Sequence, residues 1–210
     1  MSVSNNLAFR NWFAAFAATT VAVLVCVACV DRPVADFFDV HLRGAPRVWL
    51  NRALAPVDLI VVMALLFLLA CGMRVVFGGA LAPWTRTPLL CCWAAMLATA
   101  AEMIFKRIFG RGWPDPTYVR DHLYGFHWLR GGPHWESFPS GTAAISFAVA
   151  TVLWIAAPRW RAFAVVATSL LCVAVVVING HWVGDVIAGA FLGVTIGQMT
   201  VALQAFRPRE

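Results

Sequence analysis

The sequence predicts an all-α, polytopic integral membrane protein built as a bundle of six transmembrane helices. Hydrophobic residues fill 61% of its 210 positions and charged residues 12%, against about 45–50% and about 25% in soluble domains. The mean hydropathy is +0.78. The apolar residues also gather into six runs separated by polar connections, and a spanning helix needs about 20 mainly apolar residues.

In chain order the runs are Trp12–Val30, Val57–Gly78, Leu89–Phe109, Ser140–Ala157, Ala162–Ile178 and Val183–Ala202. The first follows Arg10 and is longer than the roughly 7–15 apolar residues of a signal-peptide core, so it is expected to stay as a helix. The connection Asp31–Pro56 mixes Phe37, Phe38, Val40, Leu42, Val48, Trp49 and Leu50 with charges, which suits a segment lying in the membrane interface. Gly110–Pro139 is dense in Gly, Pro, His, Trp and Arg. A connection that long between packed helices is usually functional or disordered, and its aromatic content argues for function. In the last run Gly189, Gly193 and Gly197 recur every fourth residue, a pattern that lets a second helix approach closely. No internal repeat divides the chain, so one membrane-embedded domain over residues 1–210 is expected.

All six cysteines lie inside apolar runs. They lack the spacing of a disulfide or zinc framework and read as packing residues. The net charge of +6 comes almost wholly from arginine, Lys106 being the one lysine. In a membrane protein such a balance points to loop charge or anionic lipid as partner and away from nucleic acid. The basic residues divide almost evenly between the two sides, so charge does not orient the chain, and no oligomeric state follows.

Three groups could carry chemistry. His181 and Asp185 stand four apart at the start of the last run, on one helix face. The carboxylate would accept from one imidazole nitrogen and leave the other as base or nucleophile; the plainer reading is a pair that satisfies itself. Lys106 and Arg111 flank the end of the third run in K-R-I-F-G-R-G-W-P, either as anion-gripping cations or as snorkelling charges at a helix end, with Glu102 one turn earlier placed to pair with Lys106. Ser140 and Gly141, behind Pro139, open the fourth run as an anion cradle or an ordinary N-cap. In an alternating topology all three groups fall at the same ends of the third, fourth and sixth helices. No carboxylate or histidine cluster suggests a metal, and no cofactor is expected.

On these residues the chain resembles the type-2 phosphatidic acid phosphatases. Their signatures are Lys, six residues, Arg-Pro; Pro-Ser-Gly-His; and Ser-Arg, five residues, His, three residues, Asp. The resemblance covers roughly Glu102–Gly197. It implies six membrane helices, a lipid phosphate or diphosphate substrate, and an inner-membrane location with the site facing the periplasm. It also implies His181 as the nucleophile that forms a phosphohistidine, Asp185 as its assistant, and Lys106, Ser140 and Gly141 as phosphate ligands. The chain departs from the pattern at several places. The first-signature Arg falls on Trp113, with Pro114 kept, and the Ser-Arg of the third falls on Ala174 and Val175. G-R-x-W-P, Tyr124 to His127 and Asn179 to Asp185 look like a bacterial branch in which Arg111 supplies the guanidinium, helped by Arg120 or Arg130. Thr142 stands where the general-acid histidine belongs, as a substitution or a one-residue deletion. Losing such an acid typically costs about 10²–10⁴ in rate, less when the leaving group is already a stable anion. Activity is therefore expected to favour diphosphates, or to borrow His127 or His134 as acid. Trp113, Thr142 and Asn179 are further supporting candidates. The competing readings are an inactive relative that binds anionic headgroups and a transporter, the latter without the inverted repeat or broken helices that such folds show.

Overall fold

The computed structural model describes residues 3–42, 48 and 56–205. Seven α-helices run through them: α1 (Val3–Val25), α2 (Asp31–His41), α3 (Pro56–Val76), α4 (Arg86–Phe109), α5 (Gly141–Ala156), α6 (Arg161–Val177) and α7 (Val183–Ala205). The described residues contain no β-strand. Five segments are long and apolar enough to cross a bilayer: Phe9–His41, Leu59–Val76, Pro83–Phe109, Pro158–Val177 and Val183–Gln204. The protein is an integral membrane protein.

The six expected runs all appear as helices, with two differences. The first does not stop at Val30. A π-helical turn at Cys26–Val30 carries the chain directly into α2. Pro33 has no N–H to offer and its ring crowds the carbonyl four residues back, which the widened turn ahead of it accommodates. The segment expected to lie in the interface is therefore helical as far as His41. It buries Asp31, Ala35 and Asp39 on one side, whereas Trp49 and Leu50 lie outside the described residues. The second difference is α5, whose 16 residues span only about 24 Å at 1.5 Å per residue, against a hydrocarbon core of about 30 Å.

That short helix is the centre of the bundle. Ala143, Ala144, Ala148 and Val152 are fully enclosed, and the last three pack with Leu90, Ala94 and Ala98 of α4. On the other side, methyl groups added at Gly189 and Gly193 of α7 would collide with the carbonyls of Ser140 and Ala144, and one at Gly197 would lie 2.7 Å from that of Ala148. The glycine stripe thus lets α7 lie backbone to backbone on α5, as small residues do where lipid supplies no hydrophobic drive between helices. Large side chains such as Leu24, Leu66, Phe163, Leu170 and Leu203 point outward, where the solvent is hydrocarbon. Trp12 ties α1 to α7, donating from Nε1 to Thr195 Oγ1 at 3.2 Å, with Phe16 stacked on its ring and Phe191 tilted against both. The C-terminal ends of α1, α4 and α6 and the N-terminal ends of α5 and α7 meet at one end of the bundle, under the 110–140 connection.

Candidate active site

Each group of this site is delivered by a helix end. α4 stops at Gly110, which takes a left-handed conformation (φ 54°) and donates to the Lys106 carbonyl at 3.0 Å. A side chain there would strike the His127 carbonyl, so this C-cap requires glycine. The chain then turns inward at Arg111, where isolated bridges pair it with Phe126 and Glu136. α6 ends with the carbonyl of Val175 accepting from the N–H groups of Gly180 and His181, and α7 restarts two residues later. Ser140 caps α5, its Oγ accepting from the Ala143 N–H at 3.3 Å.

Arg111 is the buried hub. Its Nη1 donates to Asp185 Oδ1 and its Nη2 to Asp31 Oδ2, both at 2.6 Å, and all three side chains are sealed from solvent. The guanidinium lies over the rings of Phe126 at 4.9 Å, Trp182 at 5.1 Å and Tyr124 at 5.6 Å. Burial alone would lower its pKa, but the two adjacent carboxylates hold it above the ordinary arginine value. Of its five N–H donors, one on each Nη is thus held by a carboxylate, Nη2 also donates to Tyr124 Oη at 3.2 Å, and the buried Nε–H has no partner among the described residues. Its partners also cap α7. Asp31 Oδ1 accepts from the Gly184 N–H at 3.0 Å and Asp185 Oδ2 from the Trp182 N–H at 3.2 Å, so two otherwise orphaned donors of the first turn receive negative partners where the helix dipole favours them.

His181 is held differently from the expected His-Asp pair. Its Nδ1 lies 3.0 Å from the Ser137 carbonyl and 3.6 Å from Asp185 Oδ2. A carbonyl can only accept, so Nδ1 carries the proton and Nε2 the lone pair of the neutral ring. Ser137 joins the two, its hydroxyl donating to Asp185 Oδ2 while its own N–H donates to the Arg111 carbonyl at 3.0 Å. The carboxylate therefore orients the imidazole mainly by way of Ser137.

Beside His181 lies Trp113, ring centroids 4.9 Å apart, fixed by donation from its Nε1 to the Pro133 carbonyl at 2.7 Å. Lys106 Nζ sits 5.8 Å from the centre of the same indole and 2.7 Å from Glu102 Oε2. The Glu102 carboxyl in turn rests against Gly141, where an added methyl would come within 3.1 Å of it. His181, Trp113, Lys106, Glu102 and the start of α5 thus form a continuous ring of contacts, and Ser140 is tied to α7 by its N–H donating to the Asp185 carbonyl at 3.0 Å.

A profile of the PAP2 superfamily matches residues 87–209, more than half of the chain. The chain belongs to the PAP2 superfamily. No curated protein gives a significant match. Among solved structures, the transmembrane PAP2-type phosphatidylglycerolphosphate phosphatase from Bacillus subtilis is similar in fold, with a TM-score of 0.57, 17% identity, and coverage of 92% of this chain and 97% of that one.

The remaining candidates in this PAP2 protein are scattered. Thr142 is the second residue of α5 and half-buried. Asn179, in a left-handed conformation (φ 56°), donates from Nδ2 to the Ala35 carbonyl at 3.0 Å and anchors α2, a framework task. His127 packs on Trp135, His134 is exposed, Arg120 is an exposed partner of Asp115, and Arg130 lies over Trp135. Sequence reasoning missed Asp31, Ser137 and Trp182, and it named Tyr124 only as the start of a motif, without a role. Asp31 did carry a signal, since an ionisable residue closing an apolar run is a functional candidate by default. Ser137 carried none. Tyr124 donates to the Val27 carbonyl of the π-helical turn at 2.6 Å, and Trp182 to the Gly112 carbonyl at 2.8 Å.

Proposed function

We propose that this membrane phosphatase-family protein hydrolyses a lipid phosphate or diphosphate through a phosphohistidine at His181. The observation that carries the reading is the His181 imidazole, with Nδ1 engaged by a backbone carbonyl, Nε2 left with its lone pair, and a carboxylate 3.6 Å away. Nε2 attacks phosphorus, and the positive ring that results is stabilised by the Ser137 carbonyl and Asp185. Lys106 and the free N–H groups opening α5 receive the equatorial oxygens, where charge stabilisation supplies much of such catalysis. The lipid substrate, the bacterial inner membrane and a site facing the periplasm belong to this proposal. So does a preference for diphosphates, whose leaving group departs as a phosphate monoester.

The second reading is an inactive relative that binds anionic headgroups. It is favoured by Thr142 in place of an imidazole and by Arg111 being committed to two carboxylates. Phosphate release by the purified protein in detergent separates the two, with phosphatidate and undecaprenyl diphosphate as substrates. Release that vanishes in His181→Ala supports the phosphatase, while no release from the unaltered chain and recovery on inserting histidine between Gly141 and Thr142 supports the binding protein.

A further inference from the structure

We propose that Glu102 is the proton donor to the leaving oxygen, taking the part of the histidine that this chain lacks after Gly141. The inference rests on the phosphatase reading above and assigns it one more catalytic residue. Leu90, Ala94, Ala98 and Glu102 recur every fourth residue on the buried side of α4. The first three face α5, so the fourth is carried to the mouth of the same helix. There the Glu102 side chain is buried, 8% exposed. Its carboxyl carbon and Oε1 would lie 3.1 Å, and Oε2 3.3 Å, from a methyl group on Gly141. A pairing with Lys106 alone needs no such contact, because residues four apart on a helix already meet. The carboxyl instead reaches across to the residue immediately ahead of the missing imidazole.

Binding of phosphate turns this arrangement into an acid. A monoester arrives partly as a monoanion, its second pKa being about 6. Its oxygens compete with Glu102 for Lys106, and the proton of the monoanion passes to Glu102. His181 Nε2 then forms its bond to phosphorus as the bond from phosphorus to the lipid oxygen breaks. The electron pair of that bond goes to the lipid oxygen, which takes the proton from Glu102 and leaves as an alcohol. In the second half water attacks the phosphohistidine, the nitrogen–phosphorus bond breaks with its electron pair returning to Nε2, and phosphate leaves carrying both protons of the water, with Glu102 again a carboxylate.

The test compares three substrates with purified protein in detergent: a dialkylglycerol phosphate, p-nitrophenyl phosphate and undecaprenyl diphosphate. In Glu102→Gln, turnover of the alkyl phosphate should fall by about 10²–10⁴, the usual worth of a general acid, and the other two, whose leaving groups need no proton, should fall far less. Glu102→Asp keeps a charge beside Lys106 and guards against a folding defect; retracting the carboxyl by one methylene should give the same selective loss. Inserting histidine between Gly141 and Thr142 of Glu102→Gln should restore alkyl phosphate turnover. Equal losses on all three substrates in both variants would make Glu102 a structural partner of Lys106 and overturn the proposal while the phosphatase reading stands. Absence of His181-dependent release from the unaltered chain on every substrate would overturn both.

Discussion

Ser137 touches both halves of the His181 machinery, which makes its hydroxyl separable from its carbonyl. Ser137→Ala leaves the carbonyl on Nδ1 and removes only the donor to Asp185 Oδ2. Hydrogen bonds to charged groups are worth about 1.5–3 kcal/mol. The expected outcome is a loss of that order in stability by thermal unfolding in detergent, with a lower kcat and little change in KM. A KM that rises while kcat holds would remove Ser137 from the positioning of His181. Arg111 is a harsher case. Arg111→Ala leaves two buried carboxylates without their cation, a change that typically costs about 3–5 kcal/mol, and the unfolding temperature should drop accordingly. Arg111→Lys should recover little, since an ammonium cannot reach two carboxylates as a planar fork or stack on three rings.

The packing of α7 on α5 is specific enough to be tested one methyl at a time. Gly193→Ala drives a methyl into the Ala144 carbonyl, and overpacking of this kind costs about 1–3 kcal/mol. Gly72 in α3 has nothing within 4 Å of the equivalent position, so Gly72→Ala should be neutral or stabilising by about 0.5–1 kcal/mol, the helix-propensity gain. Thermal unfolding of the two variants checks both the sign and the contrast. The same pair measures how much of the site depends on this contact, because Ser140 and Asp185 are joined across it by a backbone hydrogen bond.

The family match begins at residue 87, yet the charge cluster under His181 takes one of its carboxylates from Asp31. The first helices are therefore part of the end of the molecule that holds the candidate site. Removing the chain through His41 leaves every family-matched residue in place but strips Arg111 and the Gly184 N–H of their partner. We expect phosphate release to disappear, and Asp31→Ala in the full chain to reproduce most of that loss. Full activity in the truncated protein would show that the cluster closes without it.

The sequence by itself determined the membrane bundle, the ends of every helix but the first within a few residues, and the end of the bundle at which the candidate site residues gather. Apolar run length against bilayer thickness is a local property, as are the glycine stripe of α7 and the four-residue spacing of His181 and Asp185. What only the tertiary structure decided is the partner of each charge. Arg111 read as a phosphate grip beside Lys106 and Trp113; folding also sets it between Asp31 and Asp185, 80 and 74 residues away. Glu102 read as the i,i+4 companion of Lys106, and it is, but the crossing of α4 with α5 also brings its carboxyl to Gly141. A buried charge is satisfied by whatever the fold carries to it, at a free energy set by desolvation and geometry. Those partners arrive from distant helices, so no local pattern in the chain encodes them.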